Sequence, residues 1–356
     1  MITKWIKYNL LLLLIAFTTN CFASENIFYA LRFKSSDRMS SPEATMHSLK
    51  KHYKQIGILV PQAFYIDENG VVGGEIEPAI LNFAVSKSMK IMPLVTNYRF
   101  DKQKAHQFLA DPKVQRNALA ALINLCKQNH FYGIQLDFEM IAKEDRDALT
   151  QFYQSAADIM HQHGFVISFA LAPVVTEHPD SFFLTKIYNN WEAAYDFKKL
   201  GEAADFVSIM AYNQHAGITT PGSTANWQWV NQIVNHALKY ISAKKISLAL
   251  PAYSTYWYVG TTTNDLSGRV MVKMRGISYQ DVMTLKKKYK IKFYWNHDEK
   301  YYFAIFSRDW LNEYLFVEDA KVFRYKFNLI KQYKLRGVSV FDLGTEAPAI
   351  WKSLLD

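Results

Sequence analysis

Eight short runs rich in Val, Ile, Leu and Phe punctuate the chain, at residues 27–33, 56–66, 90–96, 131–139, 165–172, 205–212, 245–251 and 337–343. Most are unbroken apolar stretches, the pattern of strands buried on both faces. Between them apolar residues recur at helical spacing over 42–55, 78–88, 111–128, 143–163, 190–203, 225–242 and 319–334. Strands alternating with helices in this number predict an α/β chain, and a closed (β/α)8 TIM barrel fits better than an open doubly wound sheet. The interval between Pro251 and Asp319 breaks the rhythm. It carries one helix-like piece, SYQDVMTLKKKY, and two strand-like runs, IKFYW and KYYFAIFS, around a turn at 296–299. These predict a small α+β insertion between the seventh and eighth strands, at about residues 258–316, that deepens a cleft into a groove.

The first residues have a different pattern. Lys4 and Lys7 precede the apolar run LLLLLIAF, and small residues surround Ala23. A basic head, a short apolar core and a small-residue cleavage site predict a secretory signal peptide over residues 1–23. The core is too short to span a bilayer, which takes about 20 apolar residues. A lipidated Cys21 is the alternative, and Thr18-Thr19-Asn20 before it makes a poor lipoprotein signal. The expected product is an exported protein, periplasmic or secreted, with residues 24–356 as one catalytic domain and no stable membrane insertion.

Removing the leader takes away Lys4 and Lys7 and no acidic residue, so most of the formal charge of +9 stays with the barrel. Such a balance favours anionic surfaces such as cell-wall polymers. No concentrated basic tract or nucleic-acid motif accompanies it, which argues against nucleic acid as a partner. The remaining cysteine, Cys126, lies in the helical pattern ALAALINLC and reads as a buried inert thiol. Aromatic residues make up 15% of the chain, as a sugar-binding cleft or a large core would need.

Chemistry concentrates in the fourth run, FYGIQLDFEM. On a strand, Gln135, Asp137 and Glu139 share one face and Ile134, Leu136 and Phe138 the other. A solvated edge strand has the same alternation, but Gly133 and the apolar strands on either side point to a polar face lining a closed interior. Two carboxylates about 7 Å apart at the C-terminal end of a barrel strand suggest acid chemistry.

The stretch YGIQLDFE resembles the D-G-x-D-x-D-x-E signature of glycoside hydrolase family 18, the chitinase-like hydrolases, and within it the spore-germination, cortex-lytic branch. Further segments resemble the family in chain order: FYIDENGVVGGEIEP, KIMPLVTN, FVISFALAP, DFVSIMAYNQH, KISLALPAYSTYW and VEDAKVFRYKFNLIKQYKLRGVSVFDLGTEAP. An α+β insertion before the last strand is also a family feature. The resemblance implies Glu139 as general acid, with the substrate's own 2-acetamido oxygen attacking C1 in place of an enzyme nucleophile. It implies that Asp137 holds the acetamido N–H and that Tyr212, on an inward face with Ser208 and Met210, donates to the acetamido oxygen.

Three positions depart from the family pattern. Gln135 stands where chitinases carry Asp, so it can bond to Asp137 but cannot exchange a proton with it. Asn213 replaces the Asp of M-x-Y-D, and Phe341 replaces the tryptophan floor of the central sugar subsite. Together with Met210 these count as substrate-binding candidates, as do His215 on the loop after the sixth strand and Tyr253, Tyr256 and Trp257 after the seventh. Trp227 and Trp229 read equally as a sugar platform or as packing, and Glu75 as a rim contact. His161 and His163 read as solvated helix-end residues without metal-ligand spacing, and no cofactor is expected.

The reading is a retaining glycosidase of β-linked N-acetylhexosamine glycans, peptidoglycan-type or chitin-type, acting as a monomer. A catalytically silent, lectin-like glycan binder is the rival, and the presence of Glu139 argues against it. A hydrolase of unrelated sugar chemistry using the same carboxylates is the third reading.

Overall fold

The computed structural model describes residues 25–32, 39–260 and 271–355. The strands in chain order are β1 (Glu25–Ala30), β2 (Ile58–Ile66), β3 (Val72–Gly74), β4 (Leu94–Asn97), β5 (Gly133–Asp137), β6 (Val166–Leu171), β7 (Phe206–Met210) and β8 (Ile246–Pro251). They are followed by β9 (Ser254–Gly260), β10 (Met271–Ile277), β11 (Tyr294–Asn296), β12 (Tyr301–Arg308), β13 (Leu311–Val317) and β14 (Gly337–Phe341). Strands β1, β2, β4, β5, β6, β7, β8 and β14 pair in parallel, and β1 pairs with both β2 and β14, closing the (β/α)8 barrel. Each of the eight lies within or against one of the apolar runs. The short β3 pairs antiparallel with β2 as a hairpin at the rim.

The helices are α1 (Pro42–His52), α2 (Pro78–Ser86), α3 (Lys102–Leu109), α4 (Pro112–Asn129), α5 (Arg146–Gln162), α6 (Phe182–Ile187), α7 (Phe197–Ala203), α8 (Trp227–Ala237), α9 (Tyr279–Tyr289), α10 (Ala320–Tyr333) and α11 (Ile350–Ser353). Their starts follow from the sequence. Asp111 accepts from the Lys113 and Val114 amides ahead of Pro112, and Asp319 accepts from the Val322 amide, so each carboxylate caps orphan N–H groups. The apolar stripes of these helices and the outward strand residues form the main core.

Inside the barrel a second, smaller apolar cluster holds Ile27, Ile58, Val60, Met92 and Phe206. A hydrogen-bonded polar layer also crosses the interior: Gln135 donates to Ser168 and Ser208 at 2.8 and 3.1 Å, and Ser339 bonds Ser208 and Ser247 at 2.9 and 2.7 Å. All five of these side chains are buried. Gly133 opens β5 because a Cβ there would lie 1.8 Å from the Val166 carbonyl oxygen of β6.

Two departures from the sequence pattern bear on function. The helix expected at 190–203 is instead α6, a π-helical turn (Tyr188–Glu192) and then α7. The insertion is a five-stranded antiparallel sheet ordered β10-β9-β13-β12-β11 with α9 packed on it, and β9, β10 and β13 had no clear signal in the chain. It begins at Ser254 and ends at Val317, slightly wider than the expected 258–316. Residues 1–23, read as a signal peptide, and Phe33, the expected end of the first strand, lie outside the described residues.

Candidate active site

At the C-terminal ends of the barrel strands, under the insertion, lies a cavity of about 550 Å³. Asp137 closes β5, and Glu139 follows two residues later, just beyond the strand rather than on it. Both carboxylates line the cavity. The backbone that carries Glu139 is clamped from three sides. The Asn97 amide at the end of β4 bonds both the N–H (2.9 Å) and the carbonyl (3.0 Å) of Glu139. The Phe138 N–H donates to the Tyr153 hydroxyl at 3.1 Å, and the Tyr195 hydroxyl donates to the Phe138 carbonyl at 2.6 Å.

The electrostatics favour a proton on this pair. Burial pushes the Glu139 carboxyl up to about 7, against the pull of a 2.9 Å hydrogen bond donated by the Trp191 indole to Oε2. Burial and the neighbouring Glu139 charge hold Asp137 well above the usual carboxylate range. Asp137 Oδ1 is buried and makes no hydrogen bond within the protein. Across the cavity Tyr212 stacks on Phe341, with ring centroids 5.1 Å apart and planes inclined by 24°. Burial raises the Tyr212 hydroxyl well above its ordinary range, so it stays a proton-bearing donor.

Phe341 ends β14 and also meets the rings of Tyr29 and Tyr253, forming the cavity's apolar floor. Met210 and Asn213 complete this side. Asn213 adopts φ 61°, which Asn tolerates better than most residues. A ring of hydrogen bonds fixes it: its N–H donates to Thr224 Oγ1 at 3.1 Å, Thr224 donates to the Tyr253 hydroxyl at 3.0 Å, and Tyr253 returns the bond to Asn213 Oδ1 at 2.5 Å. The insertion contributes Met274, Arg275 and Gly276 to the wall.

The structure thus brings Asp137, Glu139, Met210, Tyr212, Asn213, Tyr253 and Phe341 to one cavity. It does not bring the other candidates there. Gln135 lies a layer below, fully buried, with Oε1 accepting from Tyr29 at 2.7 Å and both amide hydrogens given to serines, so it forms no bond to Asp137. Trp257 is fully buried beneath the loop after β7 and donates to the Gly222 carbonyl at 3.1 Å. His215 packs on Gly222, with Nδ1 3.0 Å from the Thr220 carbonyl. Tyr256 turns into the insertion's own core, bonded to buried Glu313. Trp227 and Trp229 pack against the main core.

Sequence reasoning missed Asn97, Trp191 and Tyr195. A polar residue ending an apolar barrel strand was the available signal for Asn97. The two aromatics, more than 50 residues downstream of the acid in sequence, carried none. Among the described residues no cluster of three or more His, Cys, Asp or Glu is arranged to hold a metal ion. No helix among them is long and apolar enough to cross a membrane. Cys126 is a free, buried thiol that burial pushes up to about 12.

Paired carboxylates recessed at the mouth of a (β/α)8 barrel, one of them keeping its proton near neutrality, have the chemistry of an enzyme that cleaves glycosidic bonds. The chain matches the model of glycosyl hydrolases family 18 over residues 62–346 and belongs to that family. It is 27% identical over 319 residues to an uncharacterized glycosylase, YvbX, of Bacillus subtilis, covering 87% of each chain. It is 26% identical over 297 residues to the cortical fragment-lytic enzyme of the same species, covering 83% of this chain and 66% of that one. Among solved structures, the spore cortex-lytic enzyme SleL of Bacillus megaterium superposes with a TM-score of 0.79 at 24% identity, over 93% of this chain and 73% of that one. A chitinase from Chromobacterium violaceum gives the same TM-score at 21% identity, over 94% and 98%. The protein is a glycosidase, and its substrate is a carbohydrate.

Proposed function

We propose that the protein cleaves β-linked N-acetylhexosamine glycans with retention of configuration, using the substrate's acetamido group as the nucleophile. The observation that carries this reading is the buried Oδ1 of Asp137, which has no hydrogen bond within the protein and belongs to a side chain that lines the cavity beside Glu139. Buried polar atoms are nearly always bonded. An acetamido N–H is the donor such an oxygen suits, and the Tyr212 hydroxyl can hold the acetamido oxygen from the other side. Among the described residues Asp137 and Glu139 are the only carboxylates lining the cavity, and they lie at one strand end rather than across the cavity from one another. No second carboxylate therefore faces the acid as a nucleophile, which agrees with substrate assistance.

In the step that follows, the acetamido oxygen forms a bond to C1 while the C1–O bond to the leaving sugar breaks. The departing oxygen takes the electron pair and the proton of Glu139. Asp137 holds the acetamido N–H, and the positive charge that develops there on cyclisation draws Asp137 toward its carboxylate form; water, deprotonated by Glu139, then opens the intermediate. A positioned acid of this kind contributes about 10²–10⁴-fold in rate. The cortical fragment-lytic relative and the basic charge of the chain favour peptidoglycan-type glycans, with chitin-type oligomers as the second substrate class. We further infer export through residues 1–23, for which N-terminal sequencing of the secreted protein is the check.

The test is sugar release from purified peptidoglycan and from chitin oligomers, with wild type beside Glu139→Gln. Release from one of them, lost by at least about 10²-fold in the variant, is the expected result. Equal release by both proteins would remove Glu139 from the mechanism.

A further inference from the structure

We propose that Trp191 is a positioning residue for the acid: its indole fixes which oxygen of Glu139 carries the proton and how readily that proton leaves. The proposal rests on the reading of Glu139 as general acid.

Trp191 Nε1 lies 2.9 Å from Glu139 Oε2. An indole N–H donates and cannot accept. Oε2 is therefore the accepting oxygen, and because a carbonyl oxygen accepts better than a hydroxyl oxygen, the bond favours the neutral acid with its proton on Oε1. The backbone of Glu139 is already locked by Asn97, so the carboxyl cannot turn over without breaking the indole bond. One favoured proton position, on the oxygen that the indole leaves free, is the consequence.

The indole is itself held. It belongs to the π-helical turn Tyr188–Glu192, closed by the Ala193 N–H on the Tyr188 carbonyl at 2.8 Å. Such turns carry an extra residue and recur at functional sites. Arg146 donates to the Ala193 carbonyl at 3.0 Å, and Lys102 donates to Asn190 at 2.7 Å. Tyr195, just past the turn, bonds the Phe138 carbonyl of the acid's own strand end. The donor and the acid are thus fixed to one another through two separate paths.

The bond also sets proton affinity. An N–H donor favours the carboxylate over the neutral acid, so it opposes the burial that raises Glu139. The other titratable groups around the acid are Asp137 beside it, the hydroxyls of Tyr153 and Tyr195 behind the strand end, and Tyr212 across the cavity. All four favour or hold their protonated forms, which leaves Trp191 as the group that pulls Glu139 toward ionisation.

The direct test needs no turnover. In wild type with ¹⁵N-labelled tryptophan, one indole N–H signal is expected to titrate together with the ¹³C carboxyl signal of Glu139 and to stay flat in Glu139→Gln. In Trp191→Phe the Glu139 midpoint is expected to rise by about one unit. The alkaline limb of kcat/KM is expected to move with it, and kcat to fall roughly tenfold with KM little changed. Glu192 lines a separate cavity of about 220 Å³ and is also pushed up to about 7 by burial. Glu192→Gln is therefore the control, expected to leave that limb in place. No indole signal following Glu139, or an unmoved Glu139 midpoint in folded Trp191→Phe, overturns the proposal. A coupled titration in a protein that releases no sugar supports the indole–carboxyl link and refutes the hydrolase reading instead.

Discussion

Glu139 stands under two opposed influences, burial that favours its neutral form and an indole hydrogen bond that favours the charged one, and burial prevails. As the proposed general acid, Glu139 must carry its proton to act. The competent fraction is therefore complete well below pH 7 and is lost as pH rises through about 7. On a neutral chitin oligomer, kcat/KM is expected to fall on the alkaline side with an apparent pKa near 7, a value that belongs to the coupled Asp137–Glu139 pair. A profile flat through neutrality would remove the buried acid from the rate law. Residue identity made the pair legible, because two carboxylates in alternation on an apolar strand have few other uses. Gln135 shows the limit of that reasoning. Alternation put it on the same face as Asp137, but only the neighbouring strands decide that its amide is taken by Tyr29, Ser168 and Ser208.

Among elements, the barrel strands were legible because burial on both faces leaves unbroken apolar runs. The insertion was half-hidden because its strands mix polar residues into buried positions. In β13 the inward set is Glu313, Leu315 and Val317, and the buried Glu313, paired with Arg308 at 2.8 Å, breaks the apolar alternation. The π-helical turn was invisible for a different reason: an added residue changes the local period without changing composition. The insertion's return to the barrel depends on a second buried pair. Glu318, directly after β13, accepts from Lys326 of α10 at 2.6 Å, while Lys326 also bonds the Ala225 carbonyl and the Glu318 N–H bonds Ser254. Lys326→Met strands a buried carboxyl and is expected to cost about 3–5 kcal/mol in urea unfolding. Adding Glu318→Gln is expected to recover a large part of that loss, since a neutral buried pair needs less compensation. Equal instability of the single and double variants would assign the loss to packing.

The whole molecule carries a formal charge of +9, and its cavity wall includes the exposed cation Arg275. Long-range attraction to an anionic polymer is screened over about 8–10 Å at ordinary salt. Raising ionic strength is expected to weaken binding to intact peptidoglycan several-fold, while hydrolysis of short neutral chitin oligomers changes little. Equal sensitivity on both substrates would rule out surface charge as the targeting element. The buried serine layer across the barrel has a consequence for traffic. It makes the scaffold a cup instead of a tube, so no sugar can thread through to the far side. Entry of the glycan and departure of the cleaved fragments therefore both take place on the face of the barrel that carries the insertion.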